Sequence, residues 1–177
     1  MQPWDVSHAL STMTVLYDTR EQMTDRAKRR LSKIGCPVER VKLDFGDYSA
    51  KCSALDLRGK VVIERKMDLN ELSGCFCQQR SRFTREFQRA ADAGAKTYLL
   101  IENASIDDVY RHAYKTKMAP EAMAASIWAW CARYNCQIVF CSAMNSGKVI
   151  HDILYRELKE RLEAMPDEEV PDGERLD

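Results

Sequence analysis

Short apolar runs separated by two kinds of spacer constrain this chain more than any other feature. Thr14-Val15-Leu16-Tyr17, a segment from Val38 to Leu43, and Tyr48–Cys52 follow one another closely, and each is rich in strand formers. Val61-Val62-Ile63, Thr97 to Ile101, and Gln137 to Cys141 come later, set apart by segments long enough for helices. Between the first two runs, a basic helix is predicted from Thr24 or Asp25 to about Ile34, ended by Gly35. Leu72, Phe76, Phe83 and Phe87 mark one long helix over residues 69–93, which Gly94 stops. Residues 106–114 form another helix, and Pro120 opens one that runs to about Tyr134. Ile150, Leu154, Leu158 and Leu162 recur every fourth residue in a last helix. Strands first in a meander, then strands alternating with helices, predict an α/β fold: a mixed sheet flanked by helices on both faces.

With 177 residues the chain reads as one domain over residues 1–165, followed by an acidic tail over 166–177 that is expected to be disordered. That tail hides a charge asymmetry. The formal net charge is +0, yet the tail is almost wholly acidic, so the body is modestly basic. A basic body suits a polyanionic partner, although a mixed solvated surface gives the same count. No apolar run approaches the roughly 20 residues needed to cross a bilayer. The N-terminus also lacks the basic-then-apolar layout of a signal peptide, so a cytoplasmic location is expected. The seven cysteines form no CxxC pair and read as small reduced residues.

The chemistry concentrates at strand ends. Gly46 precedes Asp47, where a kinked backbone can aim the carboxylate out of the sheet. Val61-Val62-Ile63 runs straight into Glu64-Arg65-Lys66. The period-two alternation of a strand places Glu64 and Lys66 on one face, about 6.6 Å apart along it, and Arg65 on the other. A hairpin brings Asp47 beside Glu64, so that two carboxylates can share a hard divalent cation, Mg²⁺ or Mn²⁺, with an ammonium alongside. Asp18, at the end of the first strand, offers a third carboxylate. Charged residues at strand ends are common, so this triple gains meaning only from its setting.

That setting is distinctive. Asp18-Thr19-Arg20-Glu21, Gly46-Asp47-Tyr48 and Val62-Ile63-Glu64-Arg65-Lys66, in this order and spacing, resemble the XPF-type structure-specific nuclease domain. Arg80-x-Arg82-Phe83-x-x-Glu86-Phe87 resembles the arginine-bearing helix that follows the motif in that family. The resemblance spans about Val15 to Phe140. It implies a restriction-endonuclease-like fold, a divalent metal, and cleavage of one strand of branched or flapped duplex DNA. It further implies Asp47 and Glu64 as metal ligands, the Arg65 carbonyl as a further ligand, and Lys66 as the catalytic lysine. Asp18 would join the acidic cluster, supported by Arg20 and Glu21.

Two departures stand out. The family places an aspartate four residues after the motif lysine, where this chain has Asn70, and Glu71-Leu72 restores an acidic-leucine pair only if the helix start shifts. The tandem helix-hairpin-helix domain common in eukaryotic and archaeal relatives finds no room, so the catalytic domain is expected to stand alone, as in phage-like or bacterial members; whether a targeting protein replaces it is open at this point.

Arg80, Arg82, Arg85 and Arg89 read either as a phosphate track or as a solvated helical face. Arg111, His112, Lys115 and Lys117 allow the same two readings, with the solvated face preferred. Trp128 falls off the stripe formed by Met123, Ile127, Trp130 and Tyr134. The family dimerises through late helices of this domain, so Trp128 marks a homodimer surface or packs under a loop. Against the enzyme stand a non-catalytic DNA-binding or scaffold subunit, favoured by Asn70, and a junction resolvase of the same broad fold.

Overall fold

The computed structural model describes residues 3–166, with side chains from residue 5 onward. Almost all of the tail assigned to 166–177 lies outside the described residues. Six strands form one sheet in the order β2-β1-β3-β4-β5-β6. They are β1 (Thr14–Asp18), β2 (Val38–Val41), β3 (Tyr48–Lys51), β4 (Val61–Lys66), β5 (Lys96–Glu102) and β6 (Cys136–Cys141). The helices are α1 (Pro3–Ser11), α2 (Asp25–Ser32), α3 (Leu69–Phe76), α4 (Arg80–Asp92), α5 (Ile106–Tyr110), α6 (Pro120–Arg133) and α7 (Ser146–Glu163).

Only β3 runs against the rest: β1 pairs with β2 in parallel, β4 with β5 and β5 with β6 in parallel, and β3 is antiparallel to β1 and β4. The expected opening meander is therefore β1-β3-β4, and β2 is instead the parallel partner reached through α2. From β1 the chain steps to one side of the sheet, and from β4 it steps to the other. Right-handed crossovers in opposite directions place their helices on opposite faces. Accordingly α1, α2 and α7 pack on one face over Val15, Tyr48, Val61, Ile63 and Leu100. On the other face α3, α4 and α6 bury Leu99 and Ile101. The fold is the restriction-endonuclease-like mixed sheet, and none of its described helices is long and apolar enough to cross a membrane.

Three local departures have physical causes. The helix expected over 69–93 breaks at Cys77-Gln78-Gln79 into α3 and α4. The break lets Phe76 meet Phe83 edge-on at 5.8 Å and lets both rings pack on Trp130, at 4.9 and 5.7 Å. Aromatic packing of this kind outweighs helix propensity across three polar residues. The helix over 106–114 stops at Tyr110, because His112 turns left-handed at φ 54°. Finally, no helix was expected at α1, although Val6, Ala9, Leu10 and Met13 follow a short helical period; all four are buried in the core cluster that α7 shares.

Candidate active site

Opposite crossover directions leave a gap in helix cover between β1 and β4, at the carboxyl ends of those strands. Ligands in open α/β sheets sit at such a switch point. The start of β3 lies in that gap, and Asp47 lies just before it. Gly46 holds φ 72°, and a Cβ there would come within 2.8 Å of Val62 Cβ, so only glycine fits. The Asp47 peptide is stitched to both neighbours: its N–H donates to the Ile63 carbonyl at 2.8 Å, and its carbonyl accepts from the Asp18 N–H at 2.9 Å. Its side chain is fixed too, since Oδ2 accepts the Arg65 main-chain N–H at 2.8 Å.

Glu64 and Lys66 project from the α4 face of β4, as period two requires. Lys66 Nζ donates to Glu64 Oε1 at 2.5 Å and lies 5.1 Å from the centre of the Phe83 ring. Burial, then the neighbouring Asp47 charge, pushes the Glu64 carboxyl up to about 8. Burial likewise raises Asp47, with Lys66 opposing it. For Lys66, burial works against the ammonium, but Glu64 and Asp47 outweigh it and hold the side chain charged. Glu86 of α4 adds negative potential to both carboxylates.

This donor set is all oxygen, and the raised carboxyls of Asp47 and Glu64, close together with only Lys66 beside them, show negative charge that lacks a full counter-charge. Such a set fits a hard divalent cation, and Mg²⁺ commonly takes only one or two protein carboxylates. Among the described residues no group of three His, Cys, Asp or Glu side chains is placed to hold an ion together. The fit therefore rests on Asp47 and Glu64.

Asp18 is placed differently from these two. Oδ1 accepts from the N–H and Nε of Arg20 at 2.7 and 2.6 Å, and Oδ2 accepts the Leu43 N–H at 2.7 Å. Burial would raise its pKa, but these bonds outweigh burial and keep it below the usual carboxylate value. Arg20 in turn donates to Glu86 Oε1 at 3.2 Å and to the Gly46 carbonyl at 3.5 Å. Asp18 thus holds an arginine that joins β1, the Gly46 turn and α4.

Arg65 points to the opposite face, into a buried network. Its Nη1 lies 3.4 Å from Glu102 Oε2, and Glu102 Oε1 accepts from Arg30 at 3.2 Å. Arg30 also donates to the Tyr48 hydroxyl and to Glu21 Oε1, both at 2.8 Å. Burial raises the Glu21 carboxyl, against the pull of Arg30.

A cleft of about 850 Å³ opens over these groups. Asp47, Glu64, Arg65, Lys66 and Arg82 line it, whereas Arg80, Arg85, Lys115 and Lys117 do not. Arg80 is drawn back, bonded to the Phe76 carbonyl at 3.2 Å and lying 5.3 Å over the Trp130 ring. Lys115 and Lys117 are exposed on the loop before α6, and the Lys115 N–H donates to Asn70 Oδ1 at 2.7 Å. The helix start has not shifted: Asp68 caps α3, and Glu71 accepts the Met67 N–H at 2.7 Å while lining the cleft.

Sequence reasoning assigned no role to Glu86, Glu102 or Arg30. Glu86 follows Arg82 at i+4 and Phe83 at i+3, which was a usable signal that it shares their face. Glu102 ends an apolar run, as Glu64 does. Arg30 is one of several basic residues in α2 and had no distinguishing mark.

Comparison with known proteins bears on the family and the fold. The model of the ERCC4 domain matches residues 17–152, most of the chain. The chain belongs to the ERCC4 domain family. Its fold is similar to that of XPF from Aeropyrum pernix, with a TM-score of 0.62 at 17% identity, covering 93% of this chain and 69% of that one. XPF from Aeropyrum pernix in complex with DNA gives a TM-score of 0.59 at 19% identity, covering 87% and 68%. No curated protein matches the sequence.

Proposed function

We propose that this ERCC4-domain protein is a divalent-metal-dependent endonuclease that cuts one strand of branched or flapped duplex DNA. The convergence of Asp47, Glu64 and Lys66 at the floor of one open cleft carries this reading. Asp47 and Glu64, with the Arg65 carbonyl, would hold Mg²⁺ or Mn²⁺, which when bound acidifies a water and offsets charge on the phosphoryl oxygens. The Arg65 N–H fixes the Asp47 carboxylate. Lys66 keeps its proton and presents an ammonium to the attacking water and the scissile phosphate. Asp18 acts as a positioning residue, through Arg20, rather than as a ligand. Arg82 offers a phosphate contact from the cleft wall.

The similarity to an XPF structure in complex with DNA supports a DNA substrate. Residues 1–165 act as one nuclease domain in this reading. The seven free cysteines accord with a reducing, cytoplasmic setting. Homodimerisation is part of the proposal: Trp128 is 48% exposed, and its Nε1–H donates to the exposed Tyr110 hydroxyl at 3.3 Å, leaving an aromatic pair open on α5 and α6. Light scattering at micromolar concentration tests this point, and a monomer overturns it.

The activity is tested with purified protein on labelled flap, fork, junction and plain duplex DNA, with Mg²⁺ or Mn²⁺. Cleavage confined to branched forms is expected. Cleavage of junctions alone favours a resolvase, and cleavage of none favours a scaffold subunit, with targeting by a partner protein relevant to either.

A further inference from the structure

The cleft has two basic walls, and only one of them, α4, belongs to the motif. The other is α2. Arg26, Arg29 and Arg30, spaced i, i+3 and i+4, lie on one side of that helix and line the cleft across from Arg82. They do not play the same part. Arg30 is 4% exposed and fully committed to Tyr48, Glu102 and Glu21, so it anchors the helix. From behind, Gly147 of α7 approaches so closely that a Cβ there would come within 2.2 Å of the Arg30 carbonyl. This fixes α2 rigidly beside the carboxylates.

Arg26 and Arg29 remain available on that rigid support. The Arg26 side chain is 44% exposed, and its ion pair with Glu102 is long, at 3.9 Å. Glu102 is already paired with Arg30 and Arg65, so it neutralises little of Arg26. Arg29 is exposed and commits only its Nε, to the Asp25 carbonyl at 3.2 Å. The nearest acid on the helix, Asp25, is itself exposed and faces Lys28 at 3.9 Å. Two exposed guanidinium groups one turn apart on a firmly packed helix, without strong acidic partners, suit the phosphates of a nucleic-acid backbone.

Building on the nuclease reading, we propose that Arg26 and Arg29 of α2 grip backbone phosphates of the DNA on the side of the carboxylates opposite α4. The strand to be cut would then lie between two arginine walls, and the α2 wall would help determine how far along the strand the scissile phosphate falls.

The test measures binding in EDTA, so that cleavage plays no part. Anisotropy of a labelled DNA fork is titrated at several salt concentrations with the full chain, with R26A/R29A, with R26K/R29K and with K28A. Each lost phosphate contact lowers the slope of log K against log [salt] by about one. R26A/R29A is expected to lose a slope of about two, with tighter binding restored by R26K/R29K and unaffected by K28A. With Mg²⁺ or Mn²⁺ present, R26A/R29A should raise KM while kcat changes by less than about twofold. Both side chains are solvent-facing, and an unchanged melting temperature would confirm an intact fold. An unchanged slope in R26A/R29A, where the unaltered chain binds the fork, overturns the α2 grip and leaves the nuclease reading intact. Absence of binding by the unaltered chain overturns both.

Discussion

Asp47 Oδ2 accepts the main-chain N–H of Arg65 at 2.8 Å, although the two residues stand 18 positions apart. One carboxylate is thereby aimed by the backbone of the strand that carries the other, Glu64. Backbone-to-carboxylate bonds of this kind are charge-assisted and short, and they hold a ligand side chain without a flexible intermediary. The geometry of the pair then depends on β3 and β4 meeting in this register and no other.

Asp47→Asn keeps an oxygen that can accept the Arg65 N–H, so the fold should survive, with a melting temperature within a few degrees of the unaltered chain. It removes the charge that a cation needs. Cleavage of the preferred DNA should fall by at least about 100-fold, the order of loss seen when one preorganised electrostatic group is removed from a reacting centre. Steady-state cleavage beside thermal melting checks this, and retained activity removes Asp47 from the site.

Glu64 gives a pH signature in metal-free protein. Its folded pKa, about 8, lies above the ordinary 4.5. A raised carboxyl favours the protonated fold, so its contribution to stability is fully present below pH 4.5 and is lost as pH rises through about 8. Melting temperature should therefore fall between pH 5 and 9 more in the unaltered chain than in Glu64→Gln. At pH 8.5, millimolar Mg²⁺ or Mn²⁺ should raise the melting temperature of the unaltered chain and leave Glu64→Gln unmoved. Equal responses in the two proteins would contradict a metal role for Glu64.

Gly147 and Gly74 form a matched pair for the anchoring of α2. At Gly147 an added Cβ would meet the Arg30 carbonyl at 2.2 Å, whereas at Gly74 the nearest atom is the end of Gln78, at 3.8 Å. Gly147→Ala should cost about 1–3 kcal/mol through overpacking. Gly74→Ala should be neutral or mildly stabilising, because alanine is the better helix former. Urea denaturation of both variants decides, and a tolerant Gly147→Ala would mean that α7 yields readily.

Asn70 departs from the family pattern, yet it does not line the cleft and instead accepts the Lys115 N–H. Asn70→Asp supplies an equivalent acceptor, so cleavage should change by less than about threefold. A gain of tenfold or more would show that a carboxylate at this position acts on the reaction.

Much of the fold was legible because strands and helices announce themselves over a few residues. The six strands lie where their apolar runs fall, and Thr24 caps α2, accepting the Ala27 N–H at 3.2 Å. The long helix failed because a local pattern cannot register that Phe76, Phe83 and Trp130 must meet. At the site, period two sufficed to place Glu64 and Lys66 together and Arg65 away from them. It did not show that Asp18 would be consumed by Arg20 and Leu43, nor which arginines of α4 reach the cleft.

The sequence by itself determined the strand-end carboxylates, the Glu64–Lys66 face and the glycine turn before Asp47, because each follows from dihedral preference or from alternation along one strand. Only the tertiary structure decided that Arg20 would reach Glu86, 66 residues on, and Arg30 would reach Glu102, 72 residues on. Those pairings depend on strand order and on which face each crossover covers. Such properties are set by how the whole sheet buries its two apolar sides, and no short segment encodes them.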